Sequence, residues 1–167
     1  YYHERLWQCP DAMDYLKSRG LDDEEQWKHF KIGVADRTLG LRIPHKQRLD
    51  GKQLRQQLET LGIYRKSGHE HLNGCLTIPI TNTAGQVVQV YGRRIGKALK
   101  QHRHLYLARP LAGIFNPEAL KSPPNADGQR EIILTESLID ALTFHRHGMG
   151  QVTCTYGTAN FTDELLQ

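Results

Sequence analysis

The chain has 167 residues, of which 38% are hydrophobic and 24% are charged, so it is long and apolar enough to fold as one domain or two small ones. No apolar run approaches the roughly 20 residues that a membrane span requires. No basic-then-apolar leader marks the chain for secretion, and we expect a cytoplasmic protein with no membrane partner. Three scattered cysteines without a C-x-x-C pair argue against a disulfide framework and a zinc ribbon.

The net charge of +4 is spread unevenly along the chain. No Asp or Glu occurs between His71 and Pro117. The basic residues of that span include Arg93, Arg94, Lys97, Lys100, Arg103 and Arg109. Such a span indicates a surface for a polyanion, with nucleic acid as the first candidate, although a solvated basic face has the same composition.

The first thirty residues predict a cap of three short helices. Residues 1–8 have a weak helical pattern, and Pro10 and Gly20 mark the start and end of a second helix. A third helix begins after Leu21-Asp22-Asp23 and buries Trp27 and Phe30.

The middle of the chain predicts a small antiparallel sheet. Short strands are expected at residues 32–35 and 41–43, followed by a helix over 50–61. The clearest signal is a hairpin, with strands at 75–80 and 86–95 around a turn, and Pro79 indicates an edge or bulge position. Another strand is predicted at 104–107.

The last part of the chain predicts a different architecture. Asn116 and Pro117 begin a short helix as N-cap and first residue. The linker-like composition of 121–128 places a domain boundary between 1–124 and 125–167. A strand at 131–135, a helix at 137–147, a strand at 152–156 and a helix capped near Thr162 are typical of a parallel α/β sheet. Because two strands rarely complete a sheet, we interpret the chain as part of a longer protein.

Two carboxylates lie at the edge of this predicted sheet. Glu136 ends the strand, and Asp140 follows one helical turn later, where both can face the same space. Ligands bind beyond the carboxyl ends of such strands, so the pair can serve a metal ion and a phosphate. An ordinary strand-to-helix turn with acids stabilised by the helix dipole fits the same spacing.

Three H-x-H triplets also raise the possibility of a metal site. They are His69-Glu-His71, His102-Arg-His104 and His145-Arg-His147. Each has a charged central residue and no cysteine nearby, so histidines that face solvent or phosphate are the alternative.

Several collinear segments resemble a known family, the catalytic core of bacterial and phage DNA primases. Ile-Ile-Leu-Thr-Glu136-Ser-Leu-Ile-Asp140, followed by Thr155-Tyr-Gly157-Thr158, resembles the opening half of a Toprim domain. Three upstream segments are similar to primase blocks in the same order. They are Asp14 to Leu21 with Phe30-Lys-Ile-Gly33, Leu76-Thr-Ile-Pro-Ile80 with Gly85 to Arg94, and His104-Leu-Tyr-Leu107 with Gly113-Ile-Phe-Asn116. The chain departs from the family at Ser137, where a glycine is usual, and at His104, where a lysine is usual. A second lysine, after the phenylalanine, is also missing.

This resemblance implies an α+β N-terminal primase-type subdomain followed by the first half of an α/β Toprim domain with a parallel sheet, truncated within that domain. The implied enzyme is a nucleotidyltransferase, a DNA-dependent RNA primase that makes short RNA primers on single-stranded DNA during replication. Its implied catalytic residues are Glu136, also a metal ligand, and Asp140. The metal would be Mg²⁺ or Mn²⁺, completed by acids beyond the chain, and no zinc is expected. The implied nucleic-acid and nucleotide contacts are Arg93, Arg94, Tyr91 stacking on a base, Lys97, Lys100, Arg103, Gly157 and Thr158.

The implied partners are a single-stranded DNA template, ribonucleoside triphosphates and, through regions missing from the chain, a replicative helicase. The family's paired aspartates (D-x-D) do not occur after Glu136, so we expect the fragment to bind nucleic acid but to be inactive alone. A non-catalytic, single-strand-binding Toprim-like module of a mobile element is the alternative. A Toprim topoisomerase or nuclease fits the upstream hairpin less well.

Overall fold

The computed structural model describes residues 1–96, 103–108, 110–124, 126–157 and 165. Its helices are α1 (Tyr2–Leu6), α2 (Pro10–Ser18), α3 (Glu24–His29), α4 (Leu49–Thr60) and α5 (Leu138–Arg146), with 3-10 turns at Leu39–Leu41 and Pro117–Lys121. Its strands are β1 (Gly33–Ala35), β2 (Cys75–Thr81), β3 (Val87–Arg94), β4 (His104–Tyr106), β5 (Ile133–Thr135) and β6 (Val152–Cys154). No helix within these ranges is both long and apolar enough to cross a membrane.

The three predicted N-terminal helices are present, and local signals explain their bounds. Pro10 occupies the first position of α2, and Gly20 follows that helix with a φ of +73°. Asp23 caps α3 by accepting hydrogen bonds from the backbone N–H groups of Glu25 and Gln26, at 3.0 and 3.2 Å. The buried Trp27 donates its indole N–H to the Leu21 carbonyl at 2.7 Å. The cap is therefore tied by both apolar packing and satisfied polar groups.

Strands β1 to β4 form one antiparallel sheet in the order β1-β2-β3-β4. The predicted hairpin is confirmed as β2 and β3, with Leu76 opposite Arg93. Pro79 lies beyond the residues of β2 that pair with β1, so its missing N–H removes no bond on that side. The strand predicted at 41–43 is wrong, because the chain forms a 3-10 turn there and leaves Leu41 81% exposed. Two apolar residues around Arg42, without a neighbouring strand, cannot complete a ladder.

The C-terminal strands β5 and β6 are parallel, as predicted, and are connected by α5. The apolar run Ile132-Ile133-Leu134 is typical of a parallel strand covered on both faces, and the described chain covers only one of them. Thr135 is buried, whereas Ile132 and Leu134 are 41% and 45% exposed. Because alternate residues of a strand face opposite sides, α5 covers one face and nothing described covers the other.

The segments on either side of the predicted boundary share one apolar core, although the boundary itself stays a prediction. The Phe30 and Phe115 rings stack with centroids 4.8 Å apart, in a cluster that also contains Leu138 and Tyr156. As predicted, Asn116 is the N-cap residue of the 3-10 turn that begins at Pro117. Its side chain makes no capping hydrogen bond. Its amide donates to the carbonyls of Gly150 and Val152, at 3.0 and 2.8 Å, and its φ is +52°. The side chain therefore has a long-range role.

The contact between α3 and α5 predicts a loss of stability in acid. The His145 ring stacks on His29 with centroids 5.5 Å apart, and the Gln26 amide lies 3.3 Å from its Nδ1. Burial, and then the charge of His29, lower the pKa of His145. As the pH falls, His145 is protonated in the unfolded chain before it is protonated in the folded one. Its contribution to the free energy of unfolding is therefore complete above the ordinary histidine pKa of about 6.5 and decreases as the pH drops through that value. Urea unfolding between pH 8 and 5 should show a pH slope that His145→Gln flattens, and equal slopes would contradict this origin.

Candidate active site

Arg93 and Arg94 are consecutive residues of β3, and the structure places them on opposite faces of the sheet. Arg93 shares a face with Tyr91, while Arg94 shares the other face with Gly92, on which Leu72 packs. The two arginines consequently line two different pockets. The predicted pair of adjacent nucleic-acid contacts therefore does not form a single site.

The pocket on the Arg93 side brings together the predicted acids and several cations. We call this 440 Å³ cavity the acid–base pocket. It lies where β3, β4, the end of α2 and the start of α5 meet. Its lining includes Arg19, Arg93, His104, Glu136, Asp140, three tyrosines and Gly157. Residues more than one hundred positions apart in sequence thus form one cavity.

The two acids lie at the start of α5, as the strand-to-helix pattern predicts. Ser137 is the N-cap residue: its hydroxyl donates to Asp140 Oδ2 at 2.7 Å and accepts from the Asp140 backbone N–H at 3.3 Å. The Ser137 hydroxyl is therefore a side-chain N-cap that satisfies one backbone N–H at the start of α5. Asp140 has a local structural role, yet both it and Glu136 remain exposed to the pocket.

His104 lies in the segment that resembles primases and connects Arg93 with Tyr91. The Arg93 guanidinium donates to His104 Nε2 through Nη1. It also donates through Nε to the Tyr15 hydroxyl, at 2.9 Å. Because a guanidinium can only donate, His104 Nε2 must be the acceptor, which places the ring proton on Nδ1. Nδ1 then donates to the Tyr91 hydroxyl at 2.8 Å. Burial, and then the charge of Arg93, lower the pKa of His104, consistent with this neutral ring.

Of the other predicted contacts, Tyr91 requires a correction. Its side chain is only 1% exposed and packs against His104 and Tyr106, so it has no free ring face on which a base could stack. Arg103 is exposed just before β4 and outside the acid–base pocket. Lys97, Lys100 and Thr158 lie outside the described residues.

The donor set of the acid–base pocket fits a hard divalent cation, though not a complete site. Mg²⁺ is usually held by one or two carboxylates together with water and substrate phosphates, and Glu136 and Asp140 are two such carboxylates in one cavity. Among the described residues, no group of three or more His, Cys, Asp or Glu side chains is arranged to hold a metal. The described histidines of the H-x-H triplets therefore form no such group.

A large basic surface lies on the other side of the molecule, and the sequence patterns did not reveal it. We call this 820 Å³ groove, beside α4 and the loop that follows it, the basic trough. Its cationic side chains are Lys46, Lys52, Arg55, Arg65 and Lys66. Residues 37–66 contain only two acids, Asp50 and Glu59. Their excess of basic residues was the sequence signal for this surface.

One residue of the acid–base pocket and one that contacts Arg93 were also missed. Arg19 lines the cavity, and Tyr15 orients Arg93 from α2. Both belong to the Asp14–Leu21 block that resembles primases, so the family pattern was the available signal. Periodicity pointed only to packing, because Tyr15 belongs to the apolar stripe of α2.

The fold and the pocket define a mixed α/β protein in which an antiparallel sheet brings cations to the acidic edge of a parallel β-α-β unit. Residues 1–119 match the family described as DNA primase catalytic core, N-terminal domain. The chain therefore belongs to this family.

Curated relatives agree with this assignment over nearly the whole chain. The DNA primase of Helicobacter pylori is 27% identical over 168 residues, covering 95% of this chain and 28% of the relative. The DNA primase of Thermotoga maritima is 26% identical over 174 residues, covering 99% of this chain and 30% of the relative. The chain thus spans less than a third of the length of these relatives.

Solved structures share the fold. The DnaG primase catalytic domain bound to single-stranded DNA superposes with a TM-score of 0.75 at 22% identity, covering 99% of this chain and 55% of that one. The Aquifex aeolicus primase, comprising its zinc-binding and RNA polymerase domains, gives 0.74 at 26% identity over 98% of this chain and 41% of that one. The mixed α/β architecture is therefore that of a primase catalytic core.

Proposed function

We propose that the chain is part of a DNA-dependent RNA primase and contributes one wall of its nucleotidyl-transfer site. The observation that carries this proposal is the shared cavity of Glu136 and Asp140 with Arg19, Arg93 and His104. The β-α-β unit that supplies the acids would be the opening half of a Toprim domain. Its complete site would lie in a longer enzyme, and this chain alone would bind nucleic acid without making primers.

The proposed chemistry assigns different tasks to the two kinds of side chain. Glu136 and Asp140 would contact Mg²⁺ or Mn²⁺, which would neutralise charge on the reacting phosphate. Arg93 and Arg19 would bind the triphosphate of a ribonucleotide through charge-assisted hydrogen bonds. Neutral His104, with Tyr15, would hold the Arg93 guanidinium in one orientation, so less side-chain entropy is lost when the nucleotide binds. Gly157, and Thr158 after it, would supply further contacts to phosphate.

We further propose that single-stranded DNA lies along the basic trough. Polyanion binding releases counterions, so affinity should fall steeply with salt. Each single-strand phosphate contact contributes roughly 0.7 to the steepness of log K against log salt. Replacing Lys46, Lys52 and Lys66 together by glutamine is therefore expected to reduce that steepness by about 2. Fluorescence anisotropy with a labelled oligonucleotide at several salt concentrations measures this slope.

The matched control removes the same charge elsewhere. Lys17, Lys28 and Lys121 are exposed lysines outside both the acid–base pocket and the basic trough. Their triple glutamine variant should keep most of the wild-type slope. Equal losses in the two triple variants would mean that only net charge matters and would reject the trough as the binding surface.

The basic trough also supports a second candidate function, because its lining has five cationic side chains and a single carboxylate, Glu59. A Toprim-like module that holds single-stranded nucleic acid without synthesis, such as one carried by a mobile element, would need the trough and not the acids. Template-dependent incorporation of ribonucleotides by the complete protein separates the two functions. The proposed primase would act in the cytoplasm, with a replicative helicase as a further partner through other regions.

A further inference from the structure

We infer that a pocket adjoining the basic trough, on the Arg94 face of the sheet, binds a phosphate group. The two cavities share Arg55, Arg65 and Tyr64. We call this 540 Å³ cavity the arginine pocket. Its four arginines are Arg37, Arg55, Arg65 and Arg94. The inference goes beyond the proposed function, because it holds whether or not the chain takes part in primer synthesis.

The first argument is the uncompensated charge of the pocket. Arg37 donates to the Asn73 side-chain oxygen at 2.7 Å, Arg55 to the carbonyls of Gly40 and Pro44, and Arg65 to His71. These partners are neutral groups. Within the described chain, none of the four guanidinium groups forms a salt bridge. The hydrogen bonds therefore hold three of the cations in place without neutralising them.

The single carboxylate in the lining does not fill this role. Glu70 is buried, and its two oxygens accept from the Tyr2 hydroxyl at 2.9 Å and from the Leu39 backbone N–H at 3.3 Å. Burial raises the pKa of Glu70, so the charged form of this carboxyl is less favoured than in water. Even with Glu70 ionised, the lining has an excess of three positive charges, four arginines against one acid.

The second argument is a set of buried donors without partners. Arg55 Nε, Arg94 Nε and the Tyr64 hydroxyl are buried polar atoms with no hydrogen-bond partner, and all three residues line the arginine pocket. Tyr64 is only 5% exposed, and Arg55 lies over its ring at 5.8 Å from the centroid. Burial raises the pKa of Tyr64, so its hydroxyl stays a protonated donor at neutral pH. A buried unpaired donor costs about 1–3 kcal/mol, which a bound acceptor would recover.

A phosphate group is the ligand that satisfies both arguments. It has negative charge to balance the arginines and several oxygens to accept from donors that approach from different residues. The same group occurs in a nucleic-acid backbone and at the polyphosphate end of a free nucleotide. The experiment must therefore separate these two sources.

Tyr64→Phe gives the sharpest test because it removes only the unpartnered hydroxyl. Titration calorimetry with inorganic pyrophosphate should show binding to the wild-type chain and about tenfold weaker binding to Tyr64→Phe, the loss of one hydrogen bond to a charged group. Arg94→Gln should weaken binding at least as much. Arg130→Gln removes one exposed arginine charge far from the pocket lining and should bind like the wild type.

Stability measurements keep the test independent of misfolding. Without ligand, Tyr64→Phe should be as stable as the wild type or more so, because the hydroxyl has no partner to lose. Failure of the wild type to bind pyrophosphate at millimolar concentration, or equal affinity in Tyr64→Phe, would overturn the inference.

An oligonucleotide competition identifies the source of the phosphate. If pyrophosphate displaces a single-stranded oligonucleotide and Tyr64→Phe weakens both ligands, the site takes a backbone phosphate. If the oligonucleotide binds the same with and without pyrophosphate, the site takes the polyphosphate of a free nucleotide. Both results support a phosphate site. A loss of oligonucleotide binding in the triple lysine variant, with pyrophosphate binding intact, would separate the arginine pocket from the basic trough.

Discussion

Glu136→Gln is expected to lower primer synthesis by about 100-fold or more in the complete enzyme that carries this sequence, while single-stranded DNA binding stays within about twofold. Removal of one charge-stabilising group from an active site has effects of this size. The change keeps the shape of the side chain and removes only its charge. The Ser137–Asp140 hydrogen bonds at the N-cap do not involve Glu136, so the start of α5 should be unaffected.

The measurement is incorporation of labelled ribonucleotides on a single-stranded template, with oligonucleotide binding determined in parallel. Glu118→Gln is the matched control, since Glu118 is exposed, lies outside the acid–base pocket and forms a surface ion pair with the exposed Lys121. That surface ion pair contributes little. Synthesis by Glu136→Gln at the wild-type rate would remove Glu136 from the proposed site and favour the non-catalytic binding module.

Gly33→Ala is expected to destabilise the chain by about 1–3 kcal/mol or more, the range for overpacking a tight contact. A Cβ at Gly33 would lie 2.4 Å from the Tyr2 carbonyl carbon and 2.5 Å from the Tyr2 oxygen. These are backbone atoms of α1, which packs on β1 and is held there by the 2.7 Å contact of His3 Nδ1 with the Ile32 carbonyl. The helix would have to move away from the strand to make room.

Urea unfolding of the variant against Gly150→Ala measures this effect. Gly150 has no atoms within 4 Å of a built Cβ and no positive φ, so alanine there should be neutral or slightly stabilising. Similar stabilities for the two alanine variants would show that the α1–β1 contact relaxes without cost. The expected difference also explains the glycine in the Phe30-Lys-Ile-Gly33 block, which matches primases.

The size of the effect at Gly33 illustrates how far sequence patterns lead. The family resemblance identified the glycine, and the local pattern predicted a strand there, yet neither indicated that α1 crosses it at backbone contact distance. The same holds for His104. Its alignment with the family's lysine was visible, whereas its hydrogen bond from Arg93 depends on the β3–β4 pairing of Arg93 with His104.

The sequence by itself determined the local elements and the family. Several local features are encoded within a few consecutive residues, where capping and turn chemistry act. They are the first-turn proline of α2, the start of α3 after Asp23, the hairpin and the strand-to-helix turn at Glu136. These predictions are confirmed in the described chain. The proposed roles of Glu136 and Asp140 stay predictions.

Only the tertiary structure decided which charges act together. Arg93 and Arg94 are adjacent in sequence but face opposite pockets, because consecutive residues of a strand point to opposite sides of the sheet. Arg19 and Glu136 are distant in sequence but line one cavity, because α2 and α5 both pack at the end of β3. Hydrophobic periodicity records which face of an element is buried. It carries no information about which distant element covers that face, and that packing creates the acid–base pocket, the basic trough and the arginine pocket.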